Sequence, residues 1–257
     1  MKVDSNSSVE RVLAILEFMA EKRRETGVGE ISTALGLPKS TTHRLLETLK
    51  ARGFVEQVQM TEKYEIGVKA IEVGMSGLKN WIDIASDYVR QVSKELGETC
   101  FIAVYDNGEI VYVYKVEGWQ SVITNAQLGT RKPIHSTGLG KAIVSHFELA
   151  EVDKILSVKG MPRYTENTIT DRQQFLQELS NIRERGYALD QEEAESGLSC
   201  IAVPIFTYTG QVIAATSIAG PTQRINERRE TIIPRLKDTA ENISKRLGYV
   251  PSMRSNQ

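Results

Sequence analysis

The stretch from Leu35 to Val55, L-G-L-P-K-S-T-T-H-R-L-L-E-T-L-K-A-R-G-F-V, admits few folds. Gly36 suits the left-handed conformation that stops a helix, and Pro38 suits the first turn of the next one. Beyond the break, Thr42, Leu45, Leu46 and Leu49 fall on one apolar arc at helical spacing. Ser40, His43, Arg44 and Glu47 then point the other way, with Lys39, Thr41 and Lys50 on the flanks. Upstream, E-I-S-T-A-L places Ile31, Ala34 and Leu35 on an inward face. Helix, tight glycine turn, helix is helix-turn-helix spacing. After Gly53, F-V-E-Q-V-Q-M-T-E-K-Y-E-I-G reads as two short strands around a polar tip near Lys63, a hairpin of the kind called a wing.

The flanks extend this unit. Ser7 and Glu10 have capping-box spacing, and Val9, Val12, Leu13, Leu16 and Met19 define a helical core face behind them. From Val68 to about Lys79, Ile71, Val73, Met75 and Leu78 give a further helical pattern, read as a linker helix. The expected organisation is a winged helix-turn-helix domain over 1–67, a linker helix over 68–80, a second domain over 81–250 and a tail over 251–257.

The second domain opens on an amphipathic helix using Ile82, Ala85, Val89, Val92 and Leu96. Two β-rich runs then flank Asp106-Asn107-Gly108, a strong hairpin signal, and Gln120 to Ala126 reads as a third strand. A helix is expected from about Gly138, with further helical segments over 148–158 and 171–185. G-Y-A-L-D, S-C-I-A-V-P-I-F and V-I-A-A-T-S-I-A read as strands, and a long helix from about Asn226 to Leu247 closes the chain on Ile232, Leu236, Ala240, Ile243 and Leu247. Helices packed on a mainly antiparallel sheet make this an α+β domain.

Composition excludes several classes. Hydrophobic content of 40% and charged content of 25% are those of a soluble globular chain. No apolar run approaches a membrane span, and M-K-V-D-S-N-S-S lacks the apolar region of a signal peptide, so a cytoplasmic protein is expected. Cys100 and Cys200 are too few and too far apart for a disulfide framework or a zinc motif; reduced thiols, no metal and no cofactor are expected. The net charge of -1 means that any basic footprint is local.

Such a footprint is available on the third helix. Ser40 and Thr41 offer short hydroxyls near its start, where close approach to a DNA groove needs them. Arg44, one turn on, has the reach for a bidentate contact with guanine O6 and N7, while Lys39 and Lys63 are better placed for phosphate. Thr42 and His43 complete the expected DNA-facing set. The plain alternative is a solvated face, since Glu47 and Glu56 dilute its charge. A winged helix can also serve a metabolite-sensing or protein-interaction module with no DNA target. The order of elements favours DNA.

The runs H-R-L-L-E-T-L-K-A-R-G-F-V-E-Q and K-Y-E-I-G are followed by P-I-H-S-T-G-L-G-K-A, E-E-A-E-S-G-L-S-C-I-A-V-P-I-F, S-I-A-G-P and I-S-K-R-L-G-Y. In this order, from about Val9 to Tyr249, the chain resembles the IclR-type bacterial transcription regulators. The resemblance implies a GAF-like effector-binding domain behind the winged helix and linker, and homodimers or homotetramers on double-stranded operator DNA. It implies a pocket of Gly138 and Leu139 backbone N–H groups with the side chains of Asp190, Cys200 and Ser217. That set suits a small organic acid, with N–H donors for the carboxylate and Asp190 and Ser217 for a hydroxyl or keto oxygen. Ala219 stands where some members carry a second serine, which leaves room for an effector larger or less polar than glyoxylate or pyruvate.

Two catalytic readings are set aside. Gly138-Leu139-Gly140-Lys141 is no Walker A loop, because Ala142 replaces the Ser/Thr and the earlier glycine is missing. Cys200, His135 and Asp190 are the residue types of a nucleophile, base and orienter, but Cys200 lies in an apolar strand where thiols are inert. No enzymatic activity is expected.

Overall fold

The computed structural model describes residues 8–22, 24–77, 81–120 and 126–250. The Ser7 cap, residues 78–80 of the linker, most of the strand expected over 120–126 and the tail lie outside the described residues, as do the side chains of Met75 and Leu78. The chain divides into two compact units, Met1–Lys79 and Asn80–Gln257.

In the first unit, α1 (Ser8–Lys22), α2 (Val28–Leu35) and α3 (Lys39–Ala51) precede a hairpin of β1 (Val55–Gln57) and β2 (Tyr64–Ile66), and α4 (Val68–Gly77) follows. Gly36 ends α2 in the left-handed region at φ 66° and Pro38 immediately precedes α3, as the sequence demands. Ile15, Ile31, Leu46, Val55 and Tyr64 are wholly buried, so one side chain from each of α1, α2, α3, β1 and β2 meets in the core. Each such burial contributes about 1.5–3 kcal/mol, which is what holds so short a hairpin to the helices.

Two inward faces are turned from expectation. On α1 the buried residues are Ala14, Ile15 and Met19, while Val9 and Leu13 remain exposed. On α2 Ser32 takes the buried place expected of Ala34, which is exposed. The Ser32 hydroxyl donates to the Leu37 carbonyl at 2.6 Å, and that bond is what permits a serine there.

The second unit contains α5 (Trp81–Leu96), β3 (Thr99–Asp106), β4 (Glu109–Val116), β5 (Arg131–Pro133), α6 (Gly138–Val144), α7 (Leu149–Lys159), α8 (Arg172–Arg185), β6 (Ala188–Gln191), β7 (Leu198–Phe206), β8 (Val212–Pro221), α9 (Thr222–Glu227) and α10 (Arg229–Arg246). The strands form one antiparallel sheet in the order β5-β4-β3-β8-β7-β6. β3 and β4 turn at Asn107 and Gly108, both with positive φ, as the Asp-Asn-Gly signal requires. The expected closing helix is two helices, α9 and α10, broken at Arg228.

Strand alternation assigns the two faces. Cys100, Ile102, Ile201, Val203, Ile205 and Ile218 pack under α5 and α10. Phe101, Ala103, Tyr112, Ala202 and Ala215 face the other way, toward α6, α7 and α8. The second face also carries the polar groups described below.

Candidate functional sites

On α3, Lys39, Ser40, His43 and Arg44 are exposed and Thr41 is half-buried, so these five share the outer face. Thr42 is a correction to the expected DNA-facing set. It is wholly buried and its hydroxyl donates to the Pro38 carbonyl at 3.2 Å, one turn back. Its place on the leucine arc decided this; the short hydroxyl is spent inside the helix.

Lys63, beside the wing turn, is ion-paired with Glu25 at 3.2 Å, and the Thr61 hydroxyl holds the other oxygen of that carboxylate at 2.6 Å. These two bonds keep the Glu25 carboxyl below the usual carboxylate range. Glu47 accepts a hydrogen bond from the buried Tyr64 hydroxyl at 2.9 Å, which ties α3 to β2. Lys39 and Arg44 carry no ion pair among the described residues. Unpaired positive charge is therefore present on the first half of α3, whereas Lys63 has its charge partly cancelled.

In the second unit, Leu139, Asp190, Cys200 and Ser217 line a single cavity of about 140 Å³. They come from α6, β6, β7 and β8, and the register explains the convergence. Asp190 pairs with Cys200, Cys200 with Ala219, and Ala202 with Ser217 across neighbouring strands, so their side chains share one face. Gly138 lies against that face. A Cβ built on it would sit 2.7 Å from the Cys200 sulfur, so only glycine permits this approach. The N–H groups of Gly138 and Leu139 lie in the first turn of α6, where no intrahelical carbonyl takes them.

Asp190 is buried, and its Oδ1 accepts the backbone N–H of Glu193 at 2.8 Å. Burial first, and the Glu193 carboxylate second, push its pKa up to about 7. Behind it, Glu193 pairs with the fully buried ammonium of Lys141. Burial also drives the Cys200 thiol well above its ordinary range, so it is not a nucleophile at neutral pH. His135 does not serve it either: its Nε2 lies 3.0 Å from the Pro162 carbonyl.

The Ser217 hydroxyl is buried in the cavity wall with no hydrogen-bond partner among the described residues. An unsatisfied group of this kind costs about 1–3 kcal/mol. Sequence reasoning missed four of the residues around it. Phe101 and Tyr112 supply the apolar wall, their ring centroids 5.0 Å apart, and Lys132 and Thr137 add polar groups. No local pattern pointed to Lys132, which lies in a strand of three residues.

The model of the bacterial transcriptional regulator IclR C-terminal domain matches residues 78–245, and that of the IclR helix-turn-helix domain matches residues 8–59. The HTH-type transcriptional regulator KdgR of Escherichia coli K12 is 38% identical over 250 residues, covering 96% of this chain and 94% of the relative. The crystal structure of the Thermotoga maritima IclR is 35% identical, covers 94% of this chain and 99% of its own, and superposes with a TM-score of 0.76. An IclR homolog from Microbacterium hydrocarbonoxydans, complexed with 4-hydroxybenzoate, is 26% identical, covers 94% and 99% of the two chains, and gives a TM-score of 0.86.

Proposed function

The chain belongs to the IclR family of bacterial transcription regulators, and we propose that its C-terminal domain binds a small organic acid and thereby changes sequence-specific binding of operator DNA by its N-terminal domain. One observation carries this reading. Side chains from four separate elements converge on a cavity in which the buried Ser217 hydroxyl has no partner. A largely apolar cavity with a few convergent polar groups is the usual form of a small-molecule site. Phe101, Tyr112 and Ala219 give the wall room and surface for an acid bulkier than pyruvate. The homolog complexed with 4-hydroxybenzoate supports that class.

The protein is then a sensor and not an enzyme, acting in the cytoplasm as a homodimer or homotetramer. No helix among the described residues is long and apolar enough to cross a membrane. Relatives such as KdgR, XynR and AllR are transcriptional regulators. Lys39 and Arg44, with the hydroxyls of Ser40 and Thr41, give α3 the donors that phosphates and base edges need. By linkage, the effector must change operator affinity by the same factor by which operator changes effector affinity.

The test is a gel shift on the DNA around its own gene at several salt concentrations, with and without candidate acids. Ser217→Ala is expected to blunt the ligand response and to leave ligand-free DNA binding intact. Effector affinity that is the same with and without operator would sink the coupling. Absence of any salt-sensitive shift would sink the DNA reading itself.

A further inference from the structure

We infer that Lys132 anchors the carboxylate of the effector, at the opposite end of the cavity from Asp190. The inference rests on the reading of this cavity as the effector site and deepens it by fixing which way round the acid lies. Lys132 is the middle residue of β5 and pairs directly with Ile110 of β4. Paired residues in an antiparallel ladder share a face, and Ile110 belongs to the core on the cavity side, so the lysine projects there too. Among the described residues it is the only lysine or arginine in the cavity wall. Its side chain is half-buried and has no hydrogen bond or ion pair among the described residues.

Charge distributes unevenly around it. The carboxyl groups in the wall, Asp190 and Glu195, come from β6 and the turn that follows, and Glu193 lies directly behind Asp190. β6 and β5 are the two edges of the sheet. An anionic group placed beside Asp190 either meets like charge in a low-dielectric site or forces that carboxyl to stay protonated. The same group at Lys132 meets an unpaired ammonium. The start of α6 offers only neutral N–H donors, and that of Gly140 is already taken by the Thr137 hydroxyl at 3.2 Å, so the ammonium is the stronger partner for a carboxylate. The effector is therefore bifunctional. Its carboxylate sits on Lys132 and a separate hydroxyl or carbonyl reaches the unpartnered Ser217 hydroxyl and Asp190.

The experiment is calorimetry on the full chain with pyruvate, gluconate and 4-hydroxybenzoate, each paired with its primary amide. For the acid that binds, Lys132→Met should lower affinity by about tenfold to a hundredfold, the worth of a charge-assisted bond. Lys132→Arg should restore most of it. Binding of the matching amide, weak already, should be the same in the native chain and Lys132→Met, which a merely structural role for the lysine would not give. An acid bound equally well by native and Lys132→Met chains overturns the anchor while leaving the effector site standing, and Ser217→Ala weakening that same acid identifies this case. Failure of every acid to bind the native chain overturns the small-acid reading and the anchor with it.

Discussion

Replacing Lys141 by methionine isolates the electrostatics beneath the cavity. The side chains of Lys141 and Glu193 are 1% and 8% exposed, so the change leaves a buried carboxylate without its cation. Breaking a buried pair on one side costs about 3–5 kcal/mol, whereas replacing both members with apolar groups is often neutral. Lys141→Met should therefore destabilise the second unit by that amount, and Lys141→Met/Glu193→Met should recover most of it. For a unit of this size each kcal/mol moves Tm by about 2–4 °C, so the single variant should melt about 6–20 °C lower. The loss should also depend on pH. Burial already raises the Glu193 pKa, and without the ammonium it rises further. A carboxyl whose folded pKa is raised binds its proton more tightly when folded, so the destabilisation is smallest below the unfolded value and grows as pH rises. Urea unfolding at pH 5 and pH 8 reads this directly, because both tryptophans, Trp81 and Trp119, lie in the second unit. A single variant losing under about 1 kcal/mol, or a double variant no better than the single, would refute the reasoning.

Three further outcomes are expected. Gly138→Ala should abolish effector binding, since its new methyl group lies 2.7 Å from the Cys200 sulfur, and Gly138→Ala/Cys200→Ala should regain part of it in the same titration. Asp190, raised to about 7, favours folding fully below its unfolded pKa near 4 and loses that contribution as pH climbs through 7. Stability of the native chain relative to Asp190→Asn should thus fall by about 4 kcal/mol from pH 4 to pH 8, and a flat difference would contradict the burial argument. On the DNA side, Arg44→Ala should cost about 1–3 kcal/mol of discrimination between specific and random sequences in competition gel shifts. Glu25→Gln, which frees Lys63, should tighten binding to both alike; unchanged affinity would mean that Lys63 does not meet phosphate.

The elements visible in the sequence were those fixed by local chemistry. Gly36 and Pro38 marked the turn between α2 and α3, Asn107 and Gly108 marked the hairpin, and helical spacing found the apolar buried positions of α5 but not Ser86 and Ser93. What escaped depends on partners far along the chain. The inward face of α1 was misplaced because Val9 and Leu13 are as apolar as Ile15, and only the neighbouring helices decide which is covered. The β5 strand is three residues long and carries two cations, so it showed no strand signal and Lys132 went unnoticed. Thr42 was counted twice, as core and as contact, because spacing gave its direction while its hydroxyl suggested a use. Asp190, Cys200 and Ser217 were named through resemblance alone, since no local pattern reveals that 190, 200 and 217 meet on one sheet face.

Alternation along β3, β7 and β8 has a consequence for how such a sensor changes over generations. Phe101, Cys200, Ser217 and Ala219 face the cavity, while their immediate neighbours Cys100, Ile102, Ile201 and Ile218 belong to the layer beneath α5 and α10. A mutation in one set leaves the other's packing in place. On the proposed reading, a duplicated gene can therefore drift from one metabolite to another through single substitutions at 200, 217 and 219, each leaving the layer beneath α5 and α10 untouched.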